Sequence, residues 1–110
     1  MKFSVLLPTR NGGKYLKNCL SSILDEPYQD MELVVSDNAN TDETAEILKS
    51  YFGEPRLKVV RLTKPVSVTE NWNSALLASK GDYVLMMGDD DGLLPGYFNR
   101  MEAILKKYND

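Results

Sequence analysis

The sequence predicts an α/β domain, a doubly wound and mostly parallel sheet with helices on both faces. Two observations carry the prediction. Four short apolar runs, at residues 3–7, 31–35, 57–62 and 83–87, alternate with four segments whose apolar residues recur at helical spacing. The connections are short and polar, so each helix is a crossover to a parallel neighbour, and such crossovers are right-handed. At 110 residues the chain is one domain, able to bury about two thirds of its unfolded surface. No internal repeat, low-complexity tract or linker divides it.

Phe3-Ser4-Val5-Leu6-Leu7 is the first strand, stopped by Pro8 and followed by the turn residues Thr9-Arg10-Asn11-Gly12-Gly13. From Tyr15 to Leu24 the residues Leu16, Cys19, Leu20, Ile23 and Leu24 share one helical face, and Pro27 ends the pattern. Met31-Glu32-Leu33-Val34-Val35 is a second strand that runs into the polar loop Ser36-Asp37-Asn38-Ala39-Asn40. Asn40 and Glu43 read as an N-cap and its N3 partner, opening a helix through Ala45, Leu48, Tyr51 and Phe52 that closes at Gly53. Leu57 to Leu62 is the third strand. Ser67-Val68-Thr69-Glu70 is a capping box for a helix carrying Trp72, Leu76 and Leu77 and stopped by Gly81. Tyr83 to Met87, with glycine on either side, suits a strand buried on both faces. Pro95 fits the first turn of the last helix, which aligns Phe98, Met101, Ile104, Leu105 and Tyr108 and pairs Glu102 with Lys106 at i,i+4.

Composition removes several functions. Thirteen basic against 16 acidic residues, with no Lys/Arg cluster, lack the electrostatic footprint of a nucleic-acid binder. There is no His, which removes the commonest general base and the His-dependent triads and dyads. The single Cys19 lies among apolar helix residues, where a structural thiol is expected. No run approaches a membrane span, and Pro8 and Arg10 interrupt the first apolar run too early for a signal peptide, so a cytoplasmic protein is expected.

The chemistry concentrates where Tyr83-Val84-Leu85-Met86-Met87-Gly88 empties into Asp89-Asp90-Asp91. Three adjacent carboxylates at the end of an apolar strand call for a compensating cation, and oxygen ligands favour Mg²⁺ or Mn²⁺. The alternative is a solvated acidic turn. If the strand order is 3-2-1-4, ligands bind where that order reverses, between strands one and four. Thr9-Arg10-Asn11, Asp37-Asn38 and Asp89-Asp90-Asp91 would then converge on one edge. Neither a dinucleotide-binding glycine fingerprint nor a P-loop occurs.

In order and spacing, these residues resemble the inverting family 2 glycosyltransferases with a GT-A fold. Pro8-Thr9-Arg10-Asn11 is similar to that family's P-T-Y-N, and Ser36-Asp37-Asn38-Ala39-Asn40-Thr41-Asp42 to its V-D-D-G-S-T-D. Asn73 stands where the family carries the Asn of N-x-G/A, and Asp89-Asp90-Asp91 with Pro95 resembles its D-x-D element. The resemblance spans essentially the whole chain. It implies that Asp90 is the principal metal ligand with Asp91 assisting, and that Pro8, Thr9, Arg10, Asp37, Asn38, Asn73 and Asp89 hold a nucleotide-diphospho-sugar. The metal would bridge the diphosphate as the sugar leaves for an acceptor hydroxyl.

Two substitutions depart from the pattern. Arg10 replaces the stacking Tyr, though its guanidinium can still lie flat on a base, and Asn38 replaces the Asp that reads the base. Uridine, thymidine and guanosine nucleotides all remain open. Trp72 is read as core, with an aromatic wall for the donor as the alternative. The family builds its acceptor site and catalytic base from sequence beyond the D-x-D element, so residues 1–110 are expected to be the donor portion, with no catalytic base among them. A saccharide or lipid-linked acceptor, and a position at the cytoplasmic membrane face, belong to the full enzyme. Self-association through the bare edge of the fourth strand is expected. A non-catalytic nucleotide-binding or interaction module is the rival reading. A phosphoryl-transfer receiver would need an acidic pair where Thr9-Arg10 stands.

Overall fold

The structure is a computed structural model and describes residues 2–108. Its elements are β1 (Phe3–Thr9), α1 (Gly13–Leu24), β2 (Met31–Asn38), α2 (Thr44–Lys49), β3 (Leu57–Leu62), α3 (Val68–Ala78), β4 (Tyr83–Met86) and α4 (Tyr97–Tyr108). The four strands form one parallel sheet in the order β3-β2-β1-β4. Both the alternation of elements and the expected strand order are met.

Side-chain alternation sorts the strands into two faces. Phe3, Val5, Leu7, Met31, Leu33 and Val35 join Leu16, Cys19, Leu20, Ile23 and Leu24 of α1, Leu48 of α2 and Phe98 of α4 in the main core. On the other face Leu6 and Val34 meet Ala75 of α3 in a smaller cluster. β1 and β2 are covered on both faces, which is why they read as nearly continuous apolar runs. Phe98 is held among the rings of Phe3, Tyr28 and Tyr97, at centroid distances of 5.4–5.6 Å. That aromatic group docks α4 against the end of the sheet where β1 begins.

Four local expectations change. β4 is buried on one face only: Tyr83 and Leu85 pack on the main core, whereas Val84 and Met86 are 45% and 58% exposed. They lie on the α3 side, and α3 sits mainly over β1 and β2, which leaves them about half open. α3 ends at Ala78 rather than near Gly81, and Leu76 and Leu77 point to solvent because Asn71 and Ala75 are its inward residues. Ser67 does cap this helix, accepting the Glu70 N–H at 3.2 Å. Pro95 lies in the turn before α4, not inside its first turn.

The fourth change concerns α2. Its first residue is Thr44, and the capping oxygen comes from Asp42, whose Oδ1 accepts the Thr44 N–H at 3.0 Å. The other oxygen of Asp42 accepts the Gly13 N–H at 3.0 Å, so one carboxylate serves the starts of α1 and α2. Burial raises the cost of that charge, but the Thr44 and Gly13 hydrogen bonds outweigh it and hold the carboxyl below its usual range. Asn40, released from capping, turns inward.

Candidate functional site

Because all four strands run the same way, the ends of β1, β2 and β4 deliver Thr9, Asp37-Asn38 and Asp89-Asp90-Asp91 to one edge of the sheet. Thr9 is buried, and its Oγ1 donates to Asp89 Oδ2 at 2.7 Å, tying the first loop to the last. Gly12 makes that approach feasible: a Cβ there would collide with the Asp89 carboxylate. Asp90 and Asp91 are exposed, yet both curl back over Gly88. Asp91 Oδ2 and Asp90 Oδ1 come within 3.0 and 3.1 Å of the single point where a Gly88 Cβ would stand. No Lys or Arg pairs with any of the three among the described residues.

Beneath them lies Cys19, its thiol directed at the Gly88 carbonyl 3.7 Å away. Burial first, and then the charges of Asp89, Asp91 and Asp90, push this thiol up to about 12. It is a packing residue, as its place in α1 suggests.

The middle loop is organised by Asn40. Its Nδ2 donates to the Thr9 carbonyl at 3.1 Å and to Asp37 Oδ1, its Oδ1 accepts the Asn11 N–H, and its own N–H donates to Asp37 Oδ1 at 3.0 Å. Asp37 is thereby buried as a hydrogen-bond acceptor inside its own loop. The geometry requires positive φ at Asn11 (55°) and at Ala39 (48°). Asn tolerates that region, whereas Ala is strained there by about 1–2 kcal/mol.

Arg10 and Asn38 are both occupied by backbone. Arg10 Nη1 donates to the carbonyls of Asn38 and Ala39 at 3.0 and 2.6 Å, so its guanidinium clamps the β2 loop. The Asn38 amide forms a closed pair with Val66, donating to its carbonyl at 2.9 Å and accepting its N–H at 2.8 Å. Each side chain expected beside the base also joins two loops.

These loops enclose a cavity of about 270 Å³. Pro8, Arg10, Asn38 and Asp89 line one side of it, and Val66, Val68, Asn71 and Trp72 line the rest. Asn73 is exposed on α3 and outside this lining. The inward amide of α3 is Asn71, which is buried and whose Oδ1 accepts from Ser36 Oγ at 2.6 Å. The phase set by the Ser67 cap, with residues 71, 75 and 78 on one face, was the sequence signal for Asn71. A larger hollow of about 530 Å³ at the opposite end of the sheet is lined by Lys2, Glu32, Arg56 and Lys58. Its polar groups already serve the fold. Arg56 Nη1 and Nη2 bond the carbonyls of Glu26, Tyr28 and Leu24, and Glu32 holds Ser4 and the Lys80 N–H.

The sequence profile described as Glycosyl transferase family 2 matches residues 4–110. The chain belongs to that family. It is 38% identical over 94 residues to the poly(ribitol-phosphate) beta-N-acetylglucosaminyltransferase TarS of Staphylococcus aureus, covering 83% of the chain and 16% of TarS. It is 30% identical over 89 residues to the glycosyltransferase GlyG of Streptococcus pneumoniae, covering 80% of the chain and 30% of GlyG. The crystal structure of S. aureus TarS residues 1–349 with UDP-GlcNAc superposes with a TM-score of 0.93 at 30% identity, over 99% of this chain and 32% of that one. The mannosyltransferase PcManGT of Pyrobaculum calidifontis shares the fold with a TM-score of 0.83 at 24% identity, over 94% of this chain and 32% of that one. This family 2 glycosyltransferase chain has the GT-A fold and spans a sixth to a third of the length of these relatives.

Proposed function

We propose that residues 1–110 form the donor portion of an inverting glycosyltransferase, binding a nucleotide-diphospho-sugar in the crevice between β1 and β4. The observation that carries this reading is that the ends of β1, β2 and β4 meet at one edge of the sheet, tied by the Thr9–Asp89 hydrogen bond, beside a cavity that Pro8, Arg10, Asn38 and Asp89 help to line. That TarS has been crystallised with UDP-GlcNAc and with UDP supports it. In this reading Pro8, Arg10, Asn38 and Trp72 surround the nucleoside and Asp89 lies at the ribose. Asn73 stands apart from them.

Among the described residues no three acidic, His or Cys side chains are gathered closely enough to hold a metal by themselves. Two unpaired carboxylates sharing one point above Gly88 nevertheless fit Mg²⁺ or Mn²⁺, which take one or two protein carboxylates and complete their shell with water and substrate phosphate. Asp90 and Asp91 would hold it, and it would neutralise the diphosphate as leaving group. The chain's own residues position the donor. In this reading the acceptor's proton is taken by a base outside this crevice. The acceptor, a saccharide or lipid-linked hydroxyl, belongs to the same proposal, as does a cytoplasmic location. No helix among the described residues is long and apolar enough to cross a membrane.

Calorimetry with UDP, dTDP and GDP tests the reading, each titrated with Mn²⁺ or Mg²⁺ and again in chelator. Binding that needs the metal is expected; equal binding in chelator would remove the metal's role, and no binding of any nucleotide would remove the donor site.

The same proposal extends to the bare side of β4. Val84 and Met86 project from β4, the edge strand next to β1 in the sheet of the described residues. Exposed apolar edges recruit further chains, so the 110-residue chain is expected to sediment as a concentration-dependent oligomer. Val84→Lys and Met86→Lys should return it to a monomer. A wild-type monomer at high concentration would contradict this.

A further inference from the structure

We propose that Trp72 is the platform on which the base of the donor nucleotide stacks; this rests on the donor-site reading above. Arg10 and Asn38, the residues nearest in character to base readers, have their polar atoms engaged by the carbonyls of Asn38 and Ala39 and by Val66. Of the other lining residues, Asn71 accepts from Ser36 and Asp89 from Thr9, and Pro8, Val66, Val68 and the indole supply the apolar surface. Trp72 is only partly buried. It packs on the Leu6, Val34 and Ala75 cluster and also lines the cavity, so the sheet and α3 fix the ring while part of it remains open to a ligand.

The indole N–H adds a second observation. Buried Trp side chains ordinarily place this donor on a partner. Here no protein hydrogen bond is made by Nε1 among the described residues, and no buried side-chain polar atom lacks a partner. The donor is therefore solvent-accessible and available to a ligand. A rigid aromatic ring lining the same cavity as Asp89 suits a planar base whose ribose and phosphates run to the carboxylates. Every base has a π-face, so this platform binds without selecting among bases.

Trp72 is the only tryptophan in the chain, so its emission reports on its own surroundings. UDP, dTDP and GDP are titrated with Mn²⁺ by fluorescence and by calorimetry, on the wild type, Trp72→Phe and Trp72→Ala. Stacking predicts that emission changes and saturates with the calorimetric isotherm. It also predicts that Trp72→Ala weakens all three nucleotides by a similar factor, about 5- to 100-fold, while Trp72→Phe keeps most of the affinity. Should Trp72→Ala fail to fold, the wild-type emission and the Phe variant decide. Nucleotide binding that leaves the emission unmoved, or that Trp72→Ala leaves unweakened, overturns the platform and spares the donor site. A wild type that binds none of the three overturns both.

Discussion

Replacing Asp90 by alanine is expected to abolish the metal dependence of nucleoside diphosphate binding and to lower affinity in Mn²⁺ by roughly 100-fold, the equivalent of about 3 kcal/mol from a lost cation–phosphate bridge. Asp90 is suited to this role because its carboxylate is exposed and has no ion-pair partner among the described residues. Asp89 already has one oxygen bonded to Thr9. Removing an exposed side chain that holds nothing else should leave the melting temperature nearly unchanged, so loss of binding can be assigned to the site. Calorimetry of Asp90→Ala with and without chelator, alongside thermal melting, checks both parts. Wild-type affinity in Mn²⁺ would place the metal on other residues.

Replacing Asn40 by alanine should act in the opposite manner, through the fold. The change leaves the Thr9 carbonyl and the Asn11 N–H without their partner, and takes one of two donors from the buried Asp37 carboxylate. An orphaned buried polar group costs about 1–3 kcal/mol, so the variant should lose roughly 3 kcal/mol or more. For a chain of this size that lowers the melting temperature by about 10–20 °C. The loop that buries Asp37 also anchors Arg10, so nucleotide affinity should fall with stability. Asn40→Asp keeps the Asn11 bond but places a second carboxylate against Asp37, and should not rescue. A melting temperature within a few degrees of wild type for Asn40→Ala would show that water replaces the amide.

The strand order and the edge that carries the site were legible because alternating periodicities leave few topologies open. Thr9, Asp37 and Asn38 looked like loop residues, yet they complete β1 and β2. Polar residues at a strand end are buried only when other polar residues satisfy them, and for Thr9 and Asn38 those partners are far away in sequence. Val66 sits 28 residues from Asn38, and Asp89 sits 80 from Thr9. The engagement of Arg10 was hidden for the same reason, since its acceptors are backbone carbonyls that no residue type announces. β4 reads as doubly buried because its composition matches β1 and β2, while its exposure depends on which elements happen to cover it. Asn40 reads as a helix start, but Asp42 supplies the oxygen that the start of α2 uses.

The Thr9–Asp89 bond also has a meaning in time. A chain made from its N-terminus exposes Thr9 and the β2 loop before the acidic segment exists, and at about 5–20 residues per second the 80 intervening positions take about 4–16 s to synthesise. During that interval the first three strands can pair, but the side of β1 that will receive β4 is open, and parallel pairing over such a span is intrinsically slow. The proposed donor site is thus completed late and all at once, when the last strand docks. A nascent chain stalled before residue 83 would display the first three strands with no acidic wall, and would be vulnerable to joining another chain at the open side of β1.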